Sequence, residues 1–207
     1  MKTFLFQGDS ITDANRSRDY PVWMGSGFST IVAGELSCRY PGEYKFINMG
    51  ISGNRSVDLY GRNGRDVIAN KPDYMTLLIG VNDIWHNYSG SGFTPEQYSK
   101  ILDALLDETR AALPDLKLFV LEPLLGHGYN TNGNYDDFRS KVEDVAARCK
   151  EKSDKYGGIF IPLMKDFDEL VKVCDIDGYW LEDGVHPSYA GNTIIARKVL
   201  DTFEKNK

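Results

Sequence analysis

The segment Gly8-Asp9-Ser10 presents a hydroxyl group directly after the first short apolar run of this 207-residue chain. A serine hydroxyl is a poor nucleophile until a base removes its proton, and histidine is the usual base near neutral pH. One of the chain's histidines, His186, follows an acid, Asp183, by three residues. This spacing lets one turn place the carboxylate beside Nδ1 and leaves Nε2 to face the serine. Ser10, His186 and Asp183 are therefore predicted to act as nucleophile, base and orienting acid.

Such a nucleophile also requires donors aimed where negative charge develops on the attacked carbonyl group. Gly53 lies in a glycine-rich loop, and its backbone N–H can approach a ligand closely because glycine has no side chain. The side-chain amide of Asn82 is a neutral donor, and the backbone N–H of Ser10 is a third. We predict that these three groups form an oxyanion hole.

Apolar runs alternate with helical patterns along the chain, and this alternation is typical of crossover units in a parallel sheet. The runs are apolar nearly throughout, which indicates strands covered on both faces. The predicted strands are Phe4–Gln7, Tyr44–Asn48, Tyr74–Ile79, Leu116–Glu122 and Gly158–Pro162. We expect one domain over residues 1–207, of the α/β class. About five parallel strands in the order 2-1-3-4-5 should lie between two helix layers.

Two helix ends can be read from capping patterns. The segment Thr94–Gln97 has a threonine cap, a proline at the first helical position and a capping-box glutamine. The last helix is predicted to run from Ser188 to about Phe203.

The loops after the first four predicted strands leave their carboxyl ends, where open α/β sheets place their binding sites. These loops are Gly8–Asp19, Met49–Arg55, Gly80–His86 and Pro123–Asn134. The segment Asp183–Pro187 precedes the last predicted helix and can reach the same edge. The candidate residues are therefore expected to converge although they lie far apart in the sequence.

The overall composition limits the classes of function. The net charge is −6 and no run of Lys or Arg is present, which argues against nucleic acid as a partner. Cys38, Cys149 and Cys174 lie at wide spacings, which favours reduced thiols and matches no zinc site. No signal-peptide pattern or spanning apolar stretch of ~20 residues is found. We expect a cytoplasmic protein without a membrane partner, and a mechanism that requires no metal or other cofactor.

Four blocks of sequence, taken together and in order, resemble the SGNH (GDSL-type) hydrolases. They are Gly8-Asp9-Ser10, Gly53 in its loop, Gly80-Val81-Asn82-Asp83, and the pair Asp183 and His186. The resemblance spans nearly the whole chain and implies a three-layer α/β/α, flavodoxin-like fold with an ester-hydrolase site. It implies the same roles for the nucleophile, base, acid and oxyanion donors. One departure is Ile11, where the family's name has leucine, and we expect that residue to serve packing.

Longer segments resemble the intracellular acetylxylan (acetyl-xylooligosaccharide) esterases of this superfamily. These segments are Gly8–Asp13, Gly50–Asn54, Ile79–Trp85 and Val185–Ser188. The resemblance implies a serine esterase that removes acetyl groups from the hydroxyls of a small sugar or oligosaccharide. Two other hypotheses stay open: a lysophospholipase or thioesterase of the same fold, and a relative that binds sugar without catalysis.

Aromatic residues beside the catalytic blocks are candidates for substrate binding, because exposed rings suit the apolar faces of sugars. Trp85 and Trp180 are the two that we expect to line the site. The roles of His86 and His127 stay open. Exposed aromatics also suit a subunit interface, so assembly into a homo-oligomer is a further hypothesis.

Two charged residues beside the blocks are also candidates. Arg55 either donates to sugar hydroxyls or pairs with a nearby carboxylate such as Asp58. Asp9 is a candidate binding residue, although a role as the acceptor that holds its loop is the simpler interpretation.

Overall fold

The computed structural model describes all 207 residues, and a five-stranded parallel sheet lies at its centre. The strands are β1 (Lys2–Gly8), β2 (Tyr44–Asn48), β3 (Tyr74–Leu78), β4 (Lys117–Leu121) and β5 (Ile159–Ile161). Their order across the sheet is β2-β1-β3-β4-β5, and every pairing is parallel. This confirms the predicted strand order.

Eight α-helices surround the sheet, six of them between consecutive strands and two after β5. They are α1 (Ser10–Asp13), α2 (Phe28–Arg39), α3 (Ser56–Asp66), α4 (Val81–Trp85), α5 (Pro95–Ala112), α6 (Tyr135–Lys155), α7 (Met164–Val173) and α8 (Tyr189–Asn206). Helix α2 packs on α8, and α5 packs on both α3 and α6. The sheet therefore lies between two helix layers, as predicted. None of these helices combines the length and the apolar character needed to cross a membrane.

The capping patterns define the helix ends as expected. The Thr94 hydroxyl accepts the backbone N–H of Gln97, while the Gln97 side chain accepts the N–H of Thr94 at 2.8 Å, which starts α5. The Ser188 hydroxyl accepts the N–H of Gly191 at 3.2 Å and starts α8. Helix α8 continues to Asn206, beyond its predicted end.

An aromatic cluster fastens α8 to the sheet. The ring of Phe203 lies 5.8 Å from that of Phe4 on β1 and 5.1 Å from that of Tyr74 on β3. All three are buried within one core of 45 hydrophobic side chains. Truncating a buried phenylalanine to alanine typically costs about 3–5 kcal/mol. This packing holds α8 in place, and with it the segment that carries His186.

Candidate active site

Ser10 and His186 meet at the carboxyl end of β1, although 176 positions separate them in the chain. The Oγ of Ser10 lies 2.8 Å from Nε2 of His186, and Nδ1 of His186 lies 2.8 Å from Oδ2 of Asp183. An ionised carboxylate can only accept a hydrogen bond, so Nδ1 carries the proton and Nε2 is left to accept from the serine. This is the tautomer that a general base requires.

The turn that presents Ser10 depends on the glycine before it. A Cβ atom added at Gly8 would lie 2.3 Å from Oγ1 of Thr12 and 2.5 Å from the carbonyl oxygen of Leu78. Asp9 follows as the cap of α1, because its Oδ1 accepts the backbone N–H of Ile11 at 3.0 Å. Together these contacts place Ser10 at the first position of α1, at the edge of the sheet.

The carboxylate of Asp183 accepts four hydrogen bonds. Oδ1 accepts the backbone N–H groups of Val185 and His186 at 2.9 and 2.8 Å. Oδ2 receives the His186 ring and the side-chain amide of Asn130, at 2.9 Å. Burial acts to raise the pKa of Asp183, but these hydrogen bonds outweigh it and hold the pKa well below its usual range. Asp183 therefore keeps its negative charge behind the histidine.

The hydrogen bond to Asp183 raises the pKa of His186 above its ordinary value. Partial burial of the ring opposes this effect, whereas the negative charges of Asp183, Asp9 and Glu182 add to it. His186 therefore binds a proton more strongly than a free histidine, and its neutral form is reached at a higher pH.

Gly53 and Asn82 lie beside Ser10 and line one cavity with it. Gly53 has a φ of +78°, which favours glycine, and no atom lies within 4 Å of an added Cβ. The Asn82 amide donates one hydrogen to the carbonyl oxygen of Asn54 at 3.0 Å. An amide nitrogen carries two hydrogens, so a second donor remains for a ligand. The structure brings the predicted oxyanion donors to one place.

Asp83 holds the loop that carries Gly53. Its carboxylate accepts the backbone N–H of Ser56 at 3.0 Å and the Ser56 hydroxyl, which joins the start of α3 to α4. Burial raises the pKa of Asp83 to about 6. Asp83 thus accepts hydrogen bonds that hold the segment carrying Gly53 against the segment carrying Asn82.

The sequence profile of the GDSL-like lipase/acylhydrolase family matches residues 6–194. This chain belongs to that family. It is a carboxylic ester hydrolase, and the resemblance stated from its sequence blocks is confirmed.

Relatives of this esterase cover almost its whole length. The chain is 34% identical to an acetylxylan esterase from Geobacillus stearothermophilus over 206 residues, which is 95% of this chain and 91% of the relative. A solved structure of an acetylxylan esterase from that organism superimposes with a TM-score of 0.85 at 30% identity, covering 97% and 93% of the two chains. A protein of Parabacteroides merdae described as a GDSL-like lipase gives 0.90 at 33% identity, covering 97% and 94%.

Two cavities adjoin Ser10 and His186 of the esterase, and both residues line each of them. The larger cavity has a volume of about 640 Å³ and the smaller about 440 Å³. Only three of the thirteen residues that line the larger cavity are hydrophobic. Trp85 and His86 line the smaller cavity, so the expected placement of Trp85 agrees with the structure.

Trp180 does not line either cavity around Ser10, contrary to the expectation from its position near Asp183. Its indole N–H donates to the carbonyl oxygen of Cys174 at 3.0 Å, which turns the ring toward a separate cavity of about 260 Å³. His127 lies in that separate cavity as well, stacked on Tyr135 at 3.6 Å. The prediction for Trp180 was wrong because the backbone reverses direction between Leu181 and Pro187, which form an antiparallel bridge. Trp180 is therefore close to Asp183 in sequence but faces a different cavity.

The two charged candidates are engaged in structural contacts. Arg55 donates to Asp58 at 2.9 Å and to the carbonyl oxygen of Ser91, and it lines neither cavity. The Asp9 side chain is only 1% exposed and lines neither cavity. Burial raises the pKa of Asp9 to about 7. Neither residue is therefore placed to contact a substrate in these cavities.

Two residues that support the site were missed by sequence reasoning. Asn130 reaches Asp183 from the loop after β4. Arg62 is buried and donates to the carbonyl oxygens of Gly8 and Met49 at 3.2 and 2.8 Å, which ties the nucleophile turn to the next loop. Neither lies in a recognisable motif, so only the tertiary contacts reveal them. No group of three or more His, Cys, Asp or Glu side chains is arranged to hold a metal ion.

Proposed function

We propose that this esterase removes acetyl groups from carbohydrate hydroxyls through an acetyl-serine intermediate, with an acetylated xylooligosaccharide as substrate. The observation that carries the mechanism is the hydrogen-bonded series from Ser10 through His186 to Asp183. Its unprotonated Nε2 faces the hydroxyl, and two of the oxyanion donors line the adjacent cavity.

In the first step, His186 takes the proton of Ser10 while Oγ attacks the acetyl carbonyl carbon. The carbonyl oxygen becomes negatively charged and accepts hydrogen bonds from the backbone N–H groups of Ser10 and Gly53 and from the Asn82 amide. When the bond to the sugar oxygen breaks, Nε2 of His186 returns the proton to that oxygen. The free sugar leaves, and the acetyl group stays on Ser10.

In the second step, His186 takes a proton from a water molecule, which attacks the acetyl-serine carbonyl. The same donors stabilise the second oxyanion, and the proton then passes to Oγ as acetate leaves. Asp183 stabilises the imidazolium form that exists in both steps, because its carboxylate stays ionised beside Nδ1.

Two observations support an acetylated sugar as the substrate. The relatives at 30 to 34% identity include acetylxylan esterases, and their solved structures include catalytic mutants in which a serine, a histidine or an aspartate is replaced by alanine. The larger cavity beside Ser10 has a mostly polar lining, which suits a polyhydroxylated compound better than a long acyl chain.

An acetate-release screen tests this proposal. The purified chain is assayed on acetylated xylose, xylooligosaccharides, cellobiose and glucosamine, and on p-nitrophenyl acetate and octanoate. We expect the highest kcat/KM on the acetylated xylooligosaccharides and a preference for the acetyl over the octanoyl ester. A preference for octanoate would instead indicate a lysophospholipase or thioesterase. Binding of the sugars without acetate release would indicate a non-catalytic relative.

A further inference from the structure

The two cavities around Ser10 are built from different segments of the chain. The smaller one contains the oxyanion residues Gly53 and Asn82, and its outer wall is the stretch Trp85–Ser89 that follows Asn82. The larger one is walled by residues on both sides of His186, from Glu182 to Asn192, and by the loop after Ser10. Ser10, Ser52 and His186 are the residues shared by both, so they form the ridge between the cavities.

The chemistry of ester cleavage assigns a different half of the substrate to each side of this ridge. The carbonyl oxygen must reach Gly53 and Asn82, which line only the smaller cavity. The leaving oxygen must reach Nε2 of His186, because this nitrogen returns the proton to it. A carbonyl group anchored by the oxyanion donors therefore directs its alcohol toward the segment that carries His186.

We propose that the ester binds across the ridge, with the acyl group in the smaller cavity and the sugar in the larger one, where Glu182 and Tyr189 determine the preference for a sugar. This assignment deepens the proposed function and rests on it for the identity of the alcohol. It separates the residues that select the acyl group from those that select the alcohol.

The lining of the larger cavity has the groups that recognise a polyhydroxylated ring. Glu182 is exposed and lines the larger cavity, and its carboxylate makes no ion pair or hydrogen bond within the chain. Arg18 also lines this cavity; its guanidinium donates to Asp13 at 2.8 Å and retains further N–H donors. Tyr189, at the first position of α8, exposes 83% of its surface at the rim. An acceptor, a donor and an aromatic face are thus available together.

The smaller cavity has a different character. Trp85 is half-buried, with its ring 6.2 Å from the His186 ring and 6.2 Å from that of Phe138 in the core. The indole forms a fixed apolar wall close to the base. The hydroxyl of Tyr88 is already engaged, since it donates to Asp137 at 2.8 Å. An apolar wall beside the oxyanion donors suits an acyl group more than a sugar.

Two selectivity ratios test this division. The ratio of kcat/KM on acetylated xylotriose to that on p-nitrophenyl acetate varies only the alcohol. The ratio on p-nitrophenyl octanoate to that on p-nitrophenyl acetate varies only the acyl group. The variants are Glu182→Gln and Tyr189→Ala for the larger cavity, and Trp85→Leu and Trp85→Ala for the smaller one. Glu169→Gln, a change of an exposed glutamate on α7, is the control.

We expect Glu182→Gln to lower the alcohol ratio by about tenfold, the scale of one hydrogen bond to a charged group. Tyr189→Ala should lower the same ratio by up to about tenfold, the scale of one aromatic contact. Both variants should leave the acyl ratio unchanged. The Trp85 variants should raise the acyl ratio by a similar factor and leave the alcohol ratio unchanged. The control should alter neither ratio. Labelling of Ser10 by a fluorophosphonate confirms that each variant is folded. If Trp85→Ala does not fold, Trp85→Leu tests the smaller cavity in its place.

The reverse pattern, in which the Trp85 variants change the alcohol ratio and the Glu182 variant changes the acyl ratio, would overturn the division. Equal changes of both ratios by every variant would do the same. If the unmodified chain releases no acetate from any sugar, the proposed function fails on its own. The division is then still tested with triacetylglycerol in place of the acetylated sugar, because the two ratios depend only on how the ester is oriented.

Discussion

The side-chain amide of Asn130 donates a hydrogen bond of 2.9 Å to Oδ2 of Asp183, the same oxygen that faces the His186 ring. The loop is held further by the backbone, since the N–H of Asn130 donates to the carbonyl oxygen of Asp183 at 3.2 Å. A Cβ at Gly128 would lie 2.1 Å from the carbonyl carbon of Asp183, so the loop packs directly on the acid. Asn130 is therefore a positioning residue for Asp183.

Replacing Asn130 by alanine should lower kcat by about tenfold, because the carboxylate loses one charge-assisted hydrogen bond that fixes its orientation. Without this donor, Asp183 attracts the ring proton more strongly and the pKa of His186 rises further. The pH at half-maximal kcat should therefore move upward, and measured pH–rate profiles check this shift. Asn130→Asp should be more harmful, since it places a second carboxylate beside the first.

The control for this prediction is Asn206→Ala, which changes an asparagine at the far end of α8. It should leave both kcat and the pH profile unchanged. If Asn130→Ala lowered stability but left the midpoint of the pH profile in place, Asn130 would be only a structural residue of the loop.

The rate should rise with pH, because only the unprotonated form of His186 can accept the serine proton. Since the fold raises the pKa of His186, the midpoint is expected above about 6.5, the ordinary value for a histidine. The charge of Asp9 contributes to this shift, so Asp9→Asn should lower the midpoint. Rates on p-nitrophenyl acetate between pH 5 and 9 provide the measurement, and a flat profile from pH 5 to 8 would contradict His186 as the base.

Ser10→Ala should abolish nearly all hydrolysis of p-nitrophenyl acetate and all labelling by a fluorophosphonate, because both reactions form a bond to Oγ. The variant should fold normally, since Ser10 is only partly buried and its hydroxyl contacts His186 alone. Retention of most of the activity would assign the nucleophile to another residue.

Asn82→Ala should lower kcat by roughly 10²–10³, the scale for one oxyanion donor. The loss should appear mainly in kcat, because the negative charge on the oxygen develops in the transition state. Asn82 also donates to Asn54, so thermal unfolding must be measured in parallel. A variant with normal kcat and a raised KM would place Asn82 in ground-state binding instead.

Gly8→Ala should destabilise the protein by about 1–3 kcal/mol, the usual cost of overpacking. The added methyl group would meet the side chain of Thr12 and the backbone of Leu78, and the backbone cannot turn aside. Gly34→Ala is the matched control, since Gly34 lies within α2 and no atom approaches its added Cβ within 4 Å. It should stabilise the protein by up to about 1 kcal/mol. Urea unfolding compares the two variants.

The sequence alone determined the five-stranded sheet and its order, and it predicted which groups are reactive. Alternating apolar runs and helical patterns predicted the sheet order, because buried parallel strands with covering helices allow few topologies. Local chemistry defined the capping box at Thr94. The types and positions of Ser10, Asp183 and His186 predicted a nucleophile, an acid and a base, since few other residue types can do this work near neutral pH.

Only the tertiary structure decided which neighbours of these residues face the substrate. Trp85 and Trp180 look equivalent in the sequence, yet one lines the cavity at Ser10 and the other points into a separate cavity. Arg55 could have served a ligand or an ion pair, and its distance to Asp58 decides for the pair. The contact between Asn130 and Asp183 joins positions 53 residues apart. The direction of a loop side chain depends on long-range packing, which local propensity and spacing do not encode.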